Sequence, residues 1–332
     1  MNITKGLVRA WSRLGQRATF FRVAMPEIAK EKDDLMVVTA DLAQLSNLNA
    51  FAEKFPDKFL NVGIAEQNMI GISAGMAMEG YNVYATTYAS FIAVRDLEHI
   101  RQHLSNLNLN VKLIGTAAGV VAARSGVAHW ASEDVTFMRA LPRMMVMSAA
   151  DSLEAYHMAM YAAEHKGPLY IRINGVPNCP IVYDENYVFE PEKISILSEG
   201  SDVALIGTGL MVHEAQEAAK ILEESCISCS VANMHTIKPI DKEGLRYLFD
   251  NHKLIVTMEE HNIIGGMGSA VAEYKATLDN TPRQLFVGFP DSFTRAGTTH
   301  YIWERFGITA SQVAELVKKE LSKMISGGRY ED

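Results

Sequence analysis

The run Asn61-Val-Gly-Ile-Ala-Glu-Gln-Asn68 sets one carboxylate, Glu66, at the head of a segment rich in small residues: Gly71, Ser73, Ala74, Gly75 and Ala77. Small side chains let a helix approach a neighbouring backbone closely, so this segment reads as a helix buried at an interface. A carboxyl in its first turn is pulled two ways: the helix dipole favours the charged form, and burial favours the protonated form that can trade a proton with a ligand. On spacing alone, a solvated glutamate at a helix start explains Glu66 more simply. Two further patterns carry less chemistry. Cys226-Ile-Ser-Cys229 has the spacing of a metal or redox pair, but no second Cys or His pair accompanies it and it falls where a helix runs into an apolar strand. Val203-Ala-Leu-Ile-Gly-Thr-Gly209 resembles a dinucleotide-binding turn, yet the third glycine is missing and no acidic residue closes the next strand, so it reads as a tight strand-to-helix turn.

Short apolar runs at residues 35–38, 111–115, 144–147, 169–173, 203–206, 230–232 and 254–258 alternate with helical patterns. Strands this short and this apolar belong in parallel sheets covered on both faces, which makes the chain α/β with doubly wound domains. Residues 178–200 hold Pro180, Pro191 and several acids with little periodicity, and read as a linker. The 332 residues are enough for two cores, so the expected domains are 1–190, linker included, and 191–332. A net charge of −8 argues against a nucleic-acid surface, which needs clustered Lys and Arg. No run is long and apolar enough to span a membrane, the N-terminus lacks the apolar core of a signal peptide, and three cysteines are too few for a disulfide framework. A soluble cytoplasmic protein is expected.

The ordered set of motifs resembles transketolases and their relatives, the deoxyxylulose phosphate synthases and the β subunits of 2-oxo acid dehydrogenases. Residues 61–68 carry the resemblance most specifically. Asn110-Val-Lys112, Glu133-Asp134, Met138-Arg-Ala-Leu-Pro142, Asn233-Met-His-Thr-Ile-Lys-Pro239 and Glu259-Glu-His-Asn-Ile-Ile-Gly-Gly266 extend it along most of the chain. It implies a thiamine diphosphate pyrimidine-binding domain with a mostly parallel sheet, then a smaller transketolase C-terminal-type α/β domain. It also implies roles. Glu66 would hydrogen-bond a ring nitrogen of the cofactor's pyrimidine, favouring the imino tautomer that takes up the thiazolium proton. Tyr88 and Phe91 would wall the ring, with Tyr88 where relatives usually have Phe. Asp41 would lie beside the cofactor and Ser46 beside the substrate, although a turn role explains both. His129 would donate a proton to the substrate alkoxide.

No Gly-Asp-Gly occurs in the sequence, and in such enzymes that motif opens the site for Mg²⁺ and the diphosphate. The resemblance is therefore to a C-terminal subunit, silent alone, whose partner subunit brings the diphosphate domain and Mg²⁺ in a two-plus-two heterotetramer. No metal ligand is expected in this chain. The sugar-phosphate pattern is departed from at three places: Ala117 stands for a His, Arg124 and Ser125 for an acidic pair, and Gly175 for an arginine that grips phosphate. The expected activity is glycolaldehyde transfer between a ketose and an aldehyde with substrates other than the common ones. Arg124 either offers a compensating cation or is a solvated loop residue. Decarboxylation of a 2-oxo acid before transfer and a non-catalytic assembly subunit are the alternatives. Thr208, His213, His235, Glu259, Glu260 and His261 are polar candidates in the second domain, which is expected mainly to support dimerisation.

Overall fold

A computed structural model describes residues 1–325; the expected end of the second domain, 326–332, lies outside the described residues. The strands are β1 (Leu35–Thr39), β2 (Phe59–Asn61), β3 (Asn82–Tyr88), β4 (Val111–Thr116), β5 (Met145–Ser148), β6 (Leu169–Arg172), β7 (Ser195–Ser198), β8 (Val203–Gly207), β9 (Cys229–Asn233), β10 (Thr236–Lys238), β11 (Leu254–Asn262) and β12 (Arg283–Phe289). They form two sheets, seven strands in the order β10-β5-β6-β4-β3-β1-β2 and five in the order β12-β11-β8-β9-β7. Every pairing is parallel except β10 on β5 and β7 on β9. The chain is thus two α/β units with mostly parallel sheets, as the apolar runs require.

Successive residues of the strands feed opposite faces. Val37 and Ile114 join Phe20, Phe21, Tyr84 and Met158 in one core, while Val38 and Leu113 join Met69, Ile70 and Tyr170 in another. This second core also takes in Ala204, Ile206, Leu245 and Ile255 from the five-stranded unit, so apolar packing runs without a break from one sheet to the other.

Several strands were illegible in the sequence. β3 reads Asn-Val-Tyr-Ala-Thr-Thr-Tyr, too polar for a central strand, yet its threonines are buried. Thr86 Oγ1 donates to the Ile114 carbonyl (3.0 Å), and the Thr86 and Thr87 carbonyls accept from Thr39 Oγ1 and Thr116 Oγ1 (both 3.1 Å). Hydroxyls that bond the neighbouring strand's carbonyls are tolerated in a core. β7 arises within the expected linker, and β10 leaves the second half of the chain to close the edge of the first sheet at β5.

Candidate active site

β2 and β3 flank β1 on opposite sides, and at such a reversal the loops leaving the carboxyl ends of parallel strands diverge and open a crevice. Asp41 follows β1, Glu66 follows β2, Tyr88 ends β3, Ala117 follows β4 and Gly175 follows β6, so all sit on one edge of the sheet. Asn61, the first residue of the motif, ties this edge together. Its Oδ1 accepts from the backbone N–H of both Asp41 and Gly63, each at 3.0 Å.

Glu66 is the first residue of the helix Glu66–Met78 and is 8% exposed. Its Oε1 accepts from Arg95 Nη1 at 3.1 Å, and its other oxygen makes no hydrogen bond among the described residues. The Arg95 guanidinium lies 3.7 Å from the Phe91 ring centroid, a cation–π contact that fixes its approach to Glu66. Phe91 opens the π-helical turn Phe91–Arg95. Tyr88, Phe91 and His129 surround one another, with centroids 5.3, 5.6 and 5.5 Å apart. His129 Nδ1 is buried there without a partner. A carboxylate, two aromatic rings and an unpartnered imidazole nitrogen are thus brought together at the carboxyl edge of the sheet.

The remaining expected site residues are held less closely. Asp41 is exposed, in left-handed backbone at φ 57°, and its carboxylate makes no hydrogen bond among the described residues. Ser46 is fully buried in a turn, its N–H donating to the Leu42 carbonyl (2.8 Å) and its Oγ unpartnered. Arg124 and Ser125 are exposed on the turn Ala123–Ser125, and Arg124 has no ion pair among the described residues. Ala117 is buried at φ 53°. The helix expected at an interface leaves Gly71, Gly75, Asn68 and Met78 exposed along one side, with open space where a Cβ of either glycine would stand.

Two residues of the cleft escaped sequence reasoning. Arg17 reaches Gly175: a Cβ at that glycine would lie 2.9 Å from Arg17 Nη1. The Arg17 Nε is buried and unpartnered, and burial lowers the guanidinium's affinity for its proton, opposed by the nearby Tyr88. The signal was the missing side chain at 175, but nothing in the sequence joins positions 17 and 175. Asp96 is fully buried behind Arg95, with neither carboxylate oxygen hydrogen-bonded. Burial first, then the charge of Glu66, pushes its carboxyl up to about 7 against the opposing pull of Arg95. A buried acid inside an irregular turn has no sequence signature.

Cys226 and Cys229 line a cavity of about 650 Å³ between the helix Met211–Glu223 and the strands β7 and β9, and no residue of the cleft borders it. Among the described residues no three of His, Cys, Asp and Glu are grouped to hold a metal ion. Gly207 and Gly209 form the tight turn into the helix Met211–Glu223. The buried Glu66 with one free oxygen, the two aromatic walls and the unpartnered His129 fit the pyrimidine half of thiamine diphosphate. Among the described residues, no cluster of acids fits its metal-bound diphosphate.

Residues 16–175 match the transketolase pyrimidine-binding domain and residues 192–313 the transketolase C-terminal domain. The chain is 36% identical to the 6-deoxy-6-sulfo-D-fructose transketolase subunit SqwH of Clostridium sp. strain MSTE9, across 86% of this chain and 88% of that one. It is 32% identical to an apulose-4-phosphate transketolase subunit of Phocaeicola vulgatus, across 90% and 96%. A solved structure described as a split gene transketolase, inactive beta4 tetramer, superposes with a TM-score of 0.86 at 38% identity, covering 93% of this chain and 99% of that one. With both domains matched in order and the relatives covered nearly end to end, the chain belongs to the transketolase family, as the C-terminal subunit of a split transketolase.

Proposed function

We propose that this subunit supplies the pyrimidine half of a thiamine diphosphate site for the transfer of a glycolaldehyde unit from a ketose to an aldehyde, and that the ketose carries an anionic group other than in the common pentose and hexose phosphates. When bound, the cofactor supplies the nucleophilic carbon. Glu66 presents a carboxyl to the pyrimidine nitrogen from the start of its helix, Tyr88 and Phe91 hold the ring by stacking and exclude water, and the His129 imidazole offers or receives the proton at the substrate oxygen. Asp41 would stand on the β1 side of the cleft, with Ser46 buried in the turn behind it. The observation that carries the assignment is the burial of Glu66 beside an aromatic cleft with one oxygen uncommitted.

Arg17 supports the anionic substrate. It is a partly buried guanidinium with no carboxylate partner among the described residues, standing over the glycine that replaces a family arginine. One relative is named for a sulfonated ketose and another for a phosphorylated one, both anions that a guanidinium fork accepts. The partner subunit would hold Mg²⁺ and the diphosphate. The exposed face of the helix Glu66–Met78 would pack on a partner or a second copy in a two-plus-two assembly. The three unpaired cysteines suit a reducing cytoplasm.

The test is a reconstituted complex with its diphosphate-domain subunit, thiamine diphosphate and Mg²⁺. Glu66→Ala should lower kcat by about 100-fold or more, the range of a general acid–base group. Near-parental turnover would overturn the assignment. Carbon dioxide release from pyruvate with no ketol transfer would replace it by the decarboxylating reaction.

A further inference from the structure

The loop 117–133 carries Arg124 and His129, and while its Ala118 and Ala131 pack on Ala89 beside β3, its larger buried side chains turn away from that sheet. Val120, Ala123 and Trp130 belong to the core of the five-stranded unit, together with Val203, Met258 and Phe289. Ala123 precedes Arg124 and Trp130 follows His129, so both polar residues are flanked by anchors in the second domain.

The two ends of the loop converge on one buried carboxylate and one buried arginine. Gly119 and Ala131 pair as an antiparallel bridge, Ala131 N–H donating to the Gly119 carbonyl at 2.9 Å. Beside that bridge, Glu260 Oε1 accepts from Val120 N–H (3.2 Å) and Trp303 Nε1 (2.9 Å). Arg172 Nη2 donates to the Ala131 carbonyl (3.0 Å) and to the Glu260 carbonyl (2.7 Å), while its Nε donates to Asp134 at 2.9 Å. Gly119, at φ 67°, has no room for a Cβ, which would overlap the Glu260 carboxylate. Glu260 is 2% exposed, and burial pushes its carboxyl up to about 7 against the opposing charge of Arg172.

We infer that Glu260 is a positioning residue for substrate recognition: from the second domain it fixes the loop that presents Arg124 and His129, and so sets the affinity for the sugar without touching the cofactor. This rests on the proposed role of that loop in binding substrate. Among the described residues Glu66, Arg95 and Phe91 share no hydrogen bond with the clamp, and the loop meets the proposed cofactor walls only through the His129 ring on Tyr88 and Phe91, so cofactor affinity is expected to depend on the clamp far less than donor affinity does.

Glu260→Ala in the reconstituted complex should raise KM for the donor ketose about 10-fold, leave the Kd for thiamine diphosphate within about twofold, and speed hydrogen exchange across 118–131 in the full chain, on the scale of a lost charged hydrogen bond. Glu260→Gln keeps an acceptor oxygen for Val120 and Trp303 and should restore both readouts. Trp303→Phe removes one tie, and should move KM and exchange in the same direction if the alanine variant fails to fold. Unchanged exchange in the Ala variant or, should that fail to fold, in the Phe variant would overturn the clamp. Faster exchange with unchanged KM would overturn the role in recognition, and with it the substrate role of the loop rather than that of Glu66. Cofactor affinity falling in step with KM would reduce Glu260 to general scaffolding and overturn the inference.

Discussion

Arg95 and Arg17 meet the cleft with opposite commitments. Arg95 is half exposed and already paired with Glu66, whereas Arg17 brings a partly buried charge with no carboxylate among the described residues. An uncompensated buried charge is costly, so the anion that completes Arg17 is expected to arrive with the substrate. Arg17→Ala should lower kcat/KM for an anionic ketose by roughly 10- to 100-fold, the loss of one charged hydrogen-bond set, and leave an uncharged analogue nearly unaffected. Parallel kinetics on the two donors check this. Asp96 gives a prediction in pH. Its carboxyl titrates at about 7 when folded, above the ordinary unfolded carboxylate, so folding takes up a proton. That contribution is complete below the unfolded value of ~3.9 and fades as pH rises towards the folded one. Asp96→Asn should therefore gain stability relative to the parent between these limits. Denaturant midpoints in a pH series should show the variant's stability rising relative to the parent's from about pH 4 to about 7, and a constant difference would contradict it.

Among the elements, the helix Ser152–Glu164 shows how one capping residue serves two segments. Asp151 Oδ1 accepts from Glu154 N–H (2.8 Å), while Oδ2 accepts from Val182 and Tyr183 N–H (both 2.9 Å), which seats the segment leading to β7. Asp151→Ala should cost about 2 to 4 kcal/mol, the sum of a lost cap and buried donors left unpaired, as a shift in denaturant midpoint. The cap is made within one turn of the chain; its second set of partners lies 31 and 32 residues away. The same division holds across the chain. β1, β4, β6 and β8 were legible because each is a short apolar run next to a helical pattern, whereas β3 hid behind threonines whose hydroxyls are satisfied only by strands distant in sequence. The closeness of Tyr88 and Phe91 was legible in their spacing. Arg17, Asp96 and the Glu260 clamp depend on contacts between distant segments, and composition or spacing carries no trace of those.

At the scale of the molecule, the two units are less separate than two domains joined by a linker. One hydrophobic core runs through both, Glu260 reaches back to the loop beside the cleft, and β10 pairs with β5 after three strands of the second sheet have intervened. The exchanged strand has a consequence for breakage. A protease cut in the exposed stretch near Val188, which is 74% exposed, would sever the covalent link but leave β10 zipped to the first sheet. The nicked halves should co-elute on gel filtration and separate only in denaturant. Expressed alone, a fragment ending in that stretch would bare the β5 edge that β10 normally covers, and is expected to self-associate through it.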